Sequence, residues 1–372
     1  MRKIPPAPIL PLSPVETIPP SAFSERMEKE VLPALKACKK EGWTPVEGGF
    51  RTVPGTRRAA PGEGFVHWSF LDASAFDPAL RKVSLQPPLG TVVVSIGFTQ
   101  SEIRFAELAF YFLEYGLSVL ILEHRGHGKS SREIKDPEIV KVSHWRDYER
   151  DFAAVMEDAG RKSLLTRPLF LYAHSMGGAI GAGAEEAFPL LFERAVLSSP
   201  MMLPKMKLPA FVMEAAAEAM CLIGKGDSKI PESTGFVPPS QAEPLSYRAR
   251  DEWYFSKRLP CPLLHLSDAC CRWSLEALRM DRAIARERSV QKILTPTLIF
   301  QAGKDALVDP AAQERFARRA RREGVPIWLR RIPGARHEIF CLPPKELGRY
   351  LAEVIGFYLS ASKANSGCRI NS

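Results

Sequence analysis

An apolar run that ends in a serine set among small residues, Leu169-Phe170-Leu171-Tyr172-Ala173-His174-Ser175-Met176-Gly177-Gly178-Ala179, constrains this chain more than any other stretch. The five apolar residues before His174 suit a strand buried on both faces. Gly177, Gly178, Gly181 and Gly183 then allow the following helix to pack closely on it. A sharp strand-to-helix turn that lifts a serine hydroxyl out of a sheet tolerates only small residues two positions to either side, as in G-x-S-x-G. Gly177 meets this demand, and Ala173 departs from it by one methyl group. A buried strand ending in a small-residue turn looks the same in isolation, so the rest of the chain has to supply chemical partners.

The surroundings read as alternating strands and helices. Strand patterns fall at 65–71, 91–96 and 117–122, a helix at 102–115 is ended by Gly116, and a helix at 143–159 has Ser143 placed to cap it. After the serine come a helix and the short strand Ala195-Val196-Leu197, ending at Ser198-Ser199-Pro200. Such alternation implies a mostly parallel sheet covered by helices on both faces, an α/β class. Between 201 and 292 it stops. That stretch is rich in methionine and proline, and its first helix, about 211–223, carries only Glu214 and Glu218 as charges. It reads as an inserted helical cap whose first helix packs onto the sheet domain, with an acyl-chain cavity compatible with that packing. Strand and helix order resumes with 297–301, a helix from Pro310, 327–332 and 345–359.

The expected organisation is therefore a Pro-rich arm at 1–24, a helix and loop extension at 25–64, core at 65–200, cap at 201–292, core again at 293–361, and a polar tail at 362–372. Seven prolines in the first 20 residues predict an extended or disordered arm that adds nothing to the core. A helical pattern at 24–40 is followed by glycines and prolines from Gly42 to Gly64 that break the chain repeatedly.

Several function classes are disfavoured. No run of eighteen apolar residues suggests a membrane span, and prolines stand where a signal peptide needs a helical apolar core, so a cytoplasmic protein is expected. Seven cysteines, an odd number without a C-x-x-C pair or histidines at ligand spacing, fit a reducing compartment and no metal. Cys368 has four residues after it, one too many for prenylation. The net charge of +9 gathers in part on Arg315, Arg318, Arg319 and Arg322, one face of a helix. A solvated face accounts for them, with weak contact to an anionic membrane surface, on the inner face of a membrane, as the competing reading.

A serine is a poor nucleophile unless a base takes its proton and a third group holds the base. With an elbow of this kind the order along the chain is Ser, then Asp or Glu, then His. The strand after the elbow offers no acid. The next one, Phe300-Gln301-Ala302-Gly303-Lys304-Asp305, places Asp305 just past the sheet's carboxyl edge, where open sheets build sites, with Asp309 as runner-up. The last strand leads through Pro333-Gly334-Ala335-Arg336 to His337, the expected base.

The other histidines fit less well. His174 abuts the serine and should point away, His67 is expected before the central sheet, and His144 and His265 lie at a helix start and in the cap. His124 and His127 belong to Glu123-His124-Arg125-Gly126-His127-Gly128-Lys129-Ser130, which ends like a phosphate loop but has Glu123 where the first glycine belongs, so nucleotide binding is not expected. Two backbone N–H groups should receive the developing oxyanion. Met176, directly after the nucleophile, offers one, and Phe98, in the loop Ile96-Gly97-Phe98-Thr99-Gln100, offers the other.

Together with Ser198-Ser199-Pro200-Met201, these landmarks resemble those of the α/β-hydrolase superfamily, and more narrowly its monoacylglycerol lipase and bacterial lysophospholipase branch. The resemblance spans about 65–361. It departs at Ala173, at Ile96 where the branch usually has His, and at Glu123 where it usually has Asp. It implies an α/β-hydrolase fold and a serine carboxyl-ester hydrolase acting on a lysophospholipid or monoacylglycerol, with Ser175 as nucleophile, His337 as base, Asp305 as its orienting acid, and no cofactor, metal or nucleic acid. An acyltransferase or thioesterase using the same three residues is the alternative enzyme, because an alcohol can resolve an acyl-enzyme as water does. A non-catalytic basic surface-binding protein on a hydrolase scaffold is the alternative of another class.

Overall fold

The computed structural model describes residues 5–361 apart from 58, 59, 61, 85 and 231–234; the tail at 362–372, with Cys368, lies outside the described residues. Eight strands form the central sheet: β1 (Lys39–Glu47), β2 (Glu63–Leu71), β3 (Thr91–Ser95), β4 (Ser118–Glu123), β5 (Leu169–His174), β6 (Arg194–Ser198), β7 (Thr297–Ala302) and β8 (Ile327–Ile332). Their spatial order is β1-β2-β4-β3-β5-β6-β7-β8. Pairing is antiparallel where β2 meets β1 and β4, and parallel from β4 onward. The parallel α/β class expected from the alternation is the one observed.

Helices α1 (Ala106–Glu114), α2 (Arg146–Arg161), α3 (Met176–Ala187), α4 (Ala210–Leu222), α5 (Leu245–Arg258), α6 (Cys271–Ile284), α7 (Pro310–Arg322) and α8 (Pro344–Leu359) complete the frame. Because strand side chains alternate, the sheet feeds two cores. Val92, Val94, Phe170 and Tyr172 join α1 and α8 on one face. Val93, Leu169, Leu171 and Ala173 join α2, α3 and α7 on the other. The central strands are buried on both faces, which is why β5 reads as a continuous apolar run.

Four expectations about the elements need correction. The Pro-rich arm does contribute core: Val15 and Ile18 are buried in the α1/α8 layer. The amides of Leu10 and Val15 donate to the carbonyls of Gly356 and Gly348, two turns apart on α8. A Cβ at either glycine would lie 2.2–2.3 Å from an arm carbonyl, so these glycines let an extended strap without helix or strand bonds of its own lie on the helix. Next, the glycine and proline run hides β1. Gly42 makes room there for the Trp68 ring, and Pro45 is tolerated because β1 is an edge strand. The third concerns α2, which starts at Arg146 without a side-chain cap; the Ser143 amide and hydroxyl both go to Glu133 instead.

The last correction is α4. It packs on α6 rather than on the sheet, with Glu214 and Glu218 paired to Arg282 and Arg279. Only Ala217 is buried, while Phe211, Leu222 and Ile223 are 70%, 82% and 65% exposed. The α6 side chains facing the core, such as Trp273 and Met280, occupy the place that α4 was expected to fill. Among the described residues no helix is long and apolar enough to cross a membrane.

Candidate active site

Ser175 sits on the turn between β5 and α3 with φ 54° and ψ −121°. A non-glycine residue there is strained and persists only because its surroundings hold it. The Ser175 amide donates to the Ser198 carbonyl, and its carbonyl accepts from Gly178 and Met201, so neighbouring segments pin the turn on both sides. The extra methyl of Ala173 is fully buried, and a Cβ on Gly181 would come within 2.9 Å of it, so the missing side chain at 181 provides its space.

Asp305 follows β7 and His337 follows β8, adjacent parallel strands that deliver both loops to the same edge of the sheet. His337 Nε2 lies 2.8 Å from Ser175 Oγ, and His337 Nδ1 lies 2.8 and 3.0 Å from the two carboxylate oxygens of Asp305. Burial alone would raise the Asp305 pKa. The His337 ring N–H and the amides of Leu307 and Val308 outweigh it and hold the carboxyl below its ordinary value. Asp309 is elsewhere: it caps α7 by accepting from the Ala311 amide and pairs with Arg315.

Four of the remaining histidines, His174, His124, His127 and His67, are buried. His174 is fully buried beside His337 and points its Nδ1 at the Ser198 carbonyl; burial and the neighbouring imidazole push its pKa down to about 3. His124 and His127 are likewise buried and pushed to about 3. His67 lies within β2 rather than before the sheet, bonded to Glu123 at 2.8 Å. That carboxylate also accepts from the amides of Glu102 and Lys129. It fills the turn in which a phosphate loop would hold its anion, which gives the mismatch at 123 a physical meaning.

Met176 opens α3, so its amide belongs to the first-turn N–H groups that have no acceptor within a helix. Phe98 lines the same cavity as Ser175 and packs its ring against Trp273, the centroids 4.2 Å apart and the planes tilted by 37°. Side chains not singled out from the sequence hold this loop. The Gly97 amide donates to Gln100 Oε1, and Gln100 Nε2 donates to Glu338, the residue next to His337, at 2.8 Å each. Arg104 binds both Glu338 and Asp251 of α5. Only the adjacency of Glu338 to His337 signals this cluster in the sequence. The cavity itself measures about 480 Å³, and Ser175, His337, Tyr247, Tyr254, Phe255 and Leu307 are among its lining residues. That is the size range of small-ligand sites.

The model of the family described as serine aminopeptidase, S33 (Hydrolase_4) matches residues 86–342. Lysophospholipase L2 of Escherichia coli (strain K12) is 28% identical over 261 residues, covering 67% of this chain and 74% of that protein. Human monoglyceride lipase is 27% identical over 226 residues, covering 60% and 67%. A soluble variant of monoglyceride lipase from Saccharomyces cerevisiae superposes with a TM-score of 0.59 at 18% identity, covering 84% of this chain and 97% of that one, which shows a shared fold. The family match spans most of the chain and contains every residue of the Ser175 cluster: the chain belongs to the serine aminopeptidase S33 family, as an α/β-hydrolase enzyme similar to lysophospholipase L2 and the monoglyceride lipases.

Proposed function

We propose that this serine carboxyl-ester hydrolase cleaves single-chain lipid esters, lysophospholipids or monoacylglycerols, through an acyl-enzyme on Ser175. The observation that carries the reading is the continuous relay from Asp305 through His337 to the Ser175 hydroxyl, on the wall of a cavity. In the proposed cycle Ser175 Oγ attacks the acyl carbonyl carbon while its proton passes to His337 Nε2, and Asp305 stabilises the imidazolium from the Nδ1 side. The tetrahedral oxyanion accepts from the Met176 and Phe98 amides, the former at the positive end of α3. Collapse returns the proton from His337 to the leaving alcohol, and water then repeats the sequence to release the acid. Residues 201–292 serve in this reading as the cap over the site. A panel of lysophospholipids, monoacylglycerols, short esters and aminoacyl amides tests it; preferential cleavage of the amides would overturn the substrate class.

The Gln100 bridge is read here as the positioning device of the oxyanion loop. Gln100→Leu is expected to lower kcat by about 10²-fold with KM nearly unchanged, the size of effect seen when an oxyanion donor is lost. A raised KM at intact kcat, or a fall in Tm that accounts for the activity loss, would refute this role.

Membrane contact is proposed on the exposed apolar face of α4 and on the charge of α7. Arg315 and Arg319 already have protein partners, so exposed Arg318 and Arg322 carry the proposal, each contributing on the order of 1 kcal/mol near an anionic surface. Sedimentation with anionic vesicles at low salt should exceed that with neutral ones, weaken at ~0.5 M salt as charges are screened, and fall in an Arg318→Glu, Arg322→Glu double variant. Equal binding to both vesicle types, or to neither, would retire the electrostatic contact.

A further inference from the structure

Carboxylates and cations share the cavity wall beside Ser175, and their pairing leaves a positive remainder. Arg104 is taken by Glu338 and Asp251, and Arg336 pairs with Glu243 at 2.6 Å. Arg258, at the end of α5, lines the same cavity and forms no ion pair among the described residues, although Glu338 attracts it from a distance. Its guanidinium is nevertheless held firmly. Nε donates to the Leu264 carbonyl at 2.6 Å and Nη2 to the Leu266 carbonyl. The rings of Phe236 and Tyr254 lie 4.6 and 5.1 Å from its central carbon. Burial lowers its pKa, as expected for a cation that has lost water without gaining a full counter-charge. Exposed Lys304, next to Asp305, adds a second positive charge to the lining.

A guanidinium fixed by aromatic rings and backbone carbonyls, with an N–H edge left over, is suited to an oxyanion of tetrahedral geometry. Nothing in a neutral glycerol headgroup would use that charge. We infer that Arg258 anchors the phosphate of the substrate headgroup, so that lysophospholipids are preferred over monoacylglycerols of the same acyl chain. This rests on the ester-hydrolase reading of Ser175 and assigns the headgroup end of the same cavity.

The experiment compares kcat/KM for a lysophosphatidylglycerol and for the monoacylglycerol with the same short acyl chain, both kept monomeric. The wild-type protein should favour the phosphate-bearing ester. In Arg258→Gln the ratio of the two specificity constants should fall about 10–100-fold, the range for a lost hydrogen bond to a charged group. Arg258→Lys, which keeps the charge but not the fork, should fall between. Because Arg258 also ties down carbonyls of the 264–266 segment, a measurement that needs no variant is added: glycerol 3-phosphate should inhibit wild-type monoacylglycerol hydrolysis competitively, and less so at high salt. An unchanged ratio with both constants falling together would make Arg258 a packing residue. A wild-type preference for the neutral ester, or no inhibition by glycerol 3-phosphate, would likewise overturn the anchor while Ser175 chemistry stood. Hydrolysis of neither lipid would overturn the underlying reading itself.

Discussion

Ser175→Ala is expected to lower ester turnover by about 10⁶-fold, the loss found when a serine nucleophile is removed from a comparable relay. It should also abolish covalent labelling by a fluorophosphonate probe. The expectation follows from position: the hydroxyl stands 2.8 Å from His337 Nε2, on a turn whose φ of 54° is held by three backbone hydrogen bonds. An alanine fits that turn as well as serine does, so melting temperature should barely move and the defect should be chemical. Peptide mapping of the labelled protein identifies the modified residue. Labelling elsewhere, with activity intact in the variant, would sink the acyl-enzyme and leave only the fold standing.

The second large effect concerns the acid. Asp305→Asn should cost about 10³–10⁴-fold in turnover while the protein still folds. An asparagine can present its NH₂ to His337 Nδ1, which would put the ring proton on Nε2, where it cannot accept from Ser175. Asp309→Asn is the control. Asparagine still caps α7, and the exposed pair with Arg315 is worth at most about 1 kcal/mol, so turnover should stay near wild type. Steady-state rates of the two variants decide the matter, and the reverse outcome would move the acid to 309 without changing the enzyme class.

What could be read from the sequence was whatever chemistry or burial imposes as a local pattern. The β5 run is apolar because both sheet faces cover it, and Asp305 and His337 follow strands because parallel strands deliver loops to one edge. The arrangement that joins Gln100, Arg104, Asp251 and Glu338 carries no such pattern, since its members come from separate elements and meet only after folding. Arg258 is illegible for the same reason. β1 was hidden by Gly42 and Pro45, which look like breakers until Trp68 and the sheet edge explain them. The exposure of α4 could not be foreseen because its composition suits a buried helix equally well, and only the position of α6 decides between the two.

The strap of residues 5–19 along α8 also orders events in time. A ribosome makes this segment well before its docking surface, and the hydrogen bonds joining the two close sequence separations above 320 residues. At synthesis rates of about 5–20 residues per second the strap waits on the order of tens of seconds without its partner. Val15 and Ile18 remain uncovered by α8 through that interval, while the sheet strands between them and α8 are being made. The strap thus leaves the ribosome long before it finds its place, and the α1/α8 core is sealed only once α8 has been made.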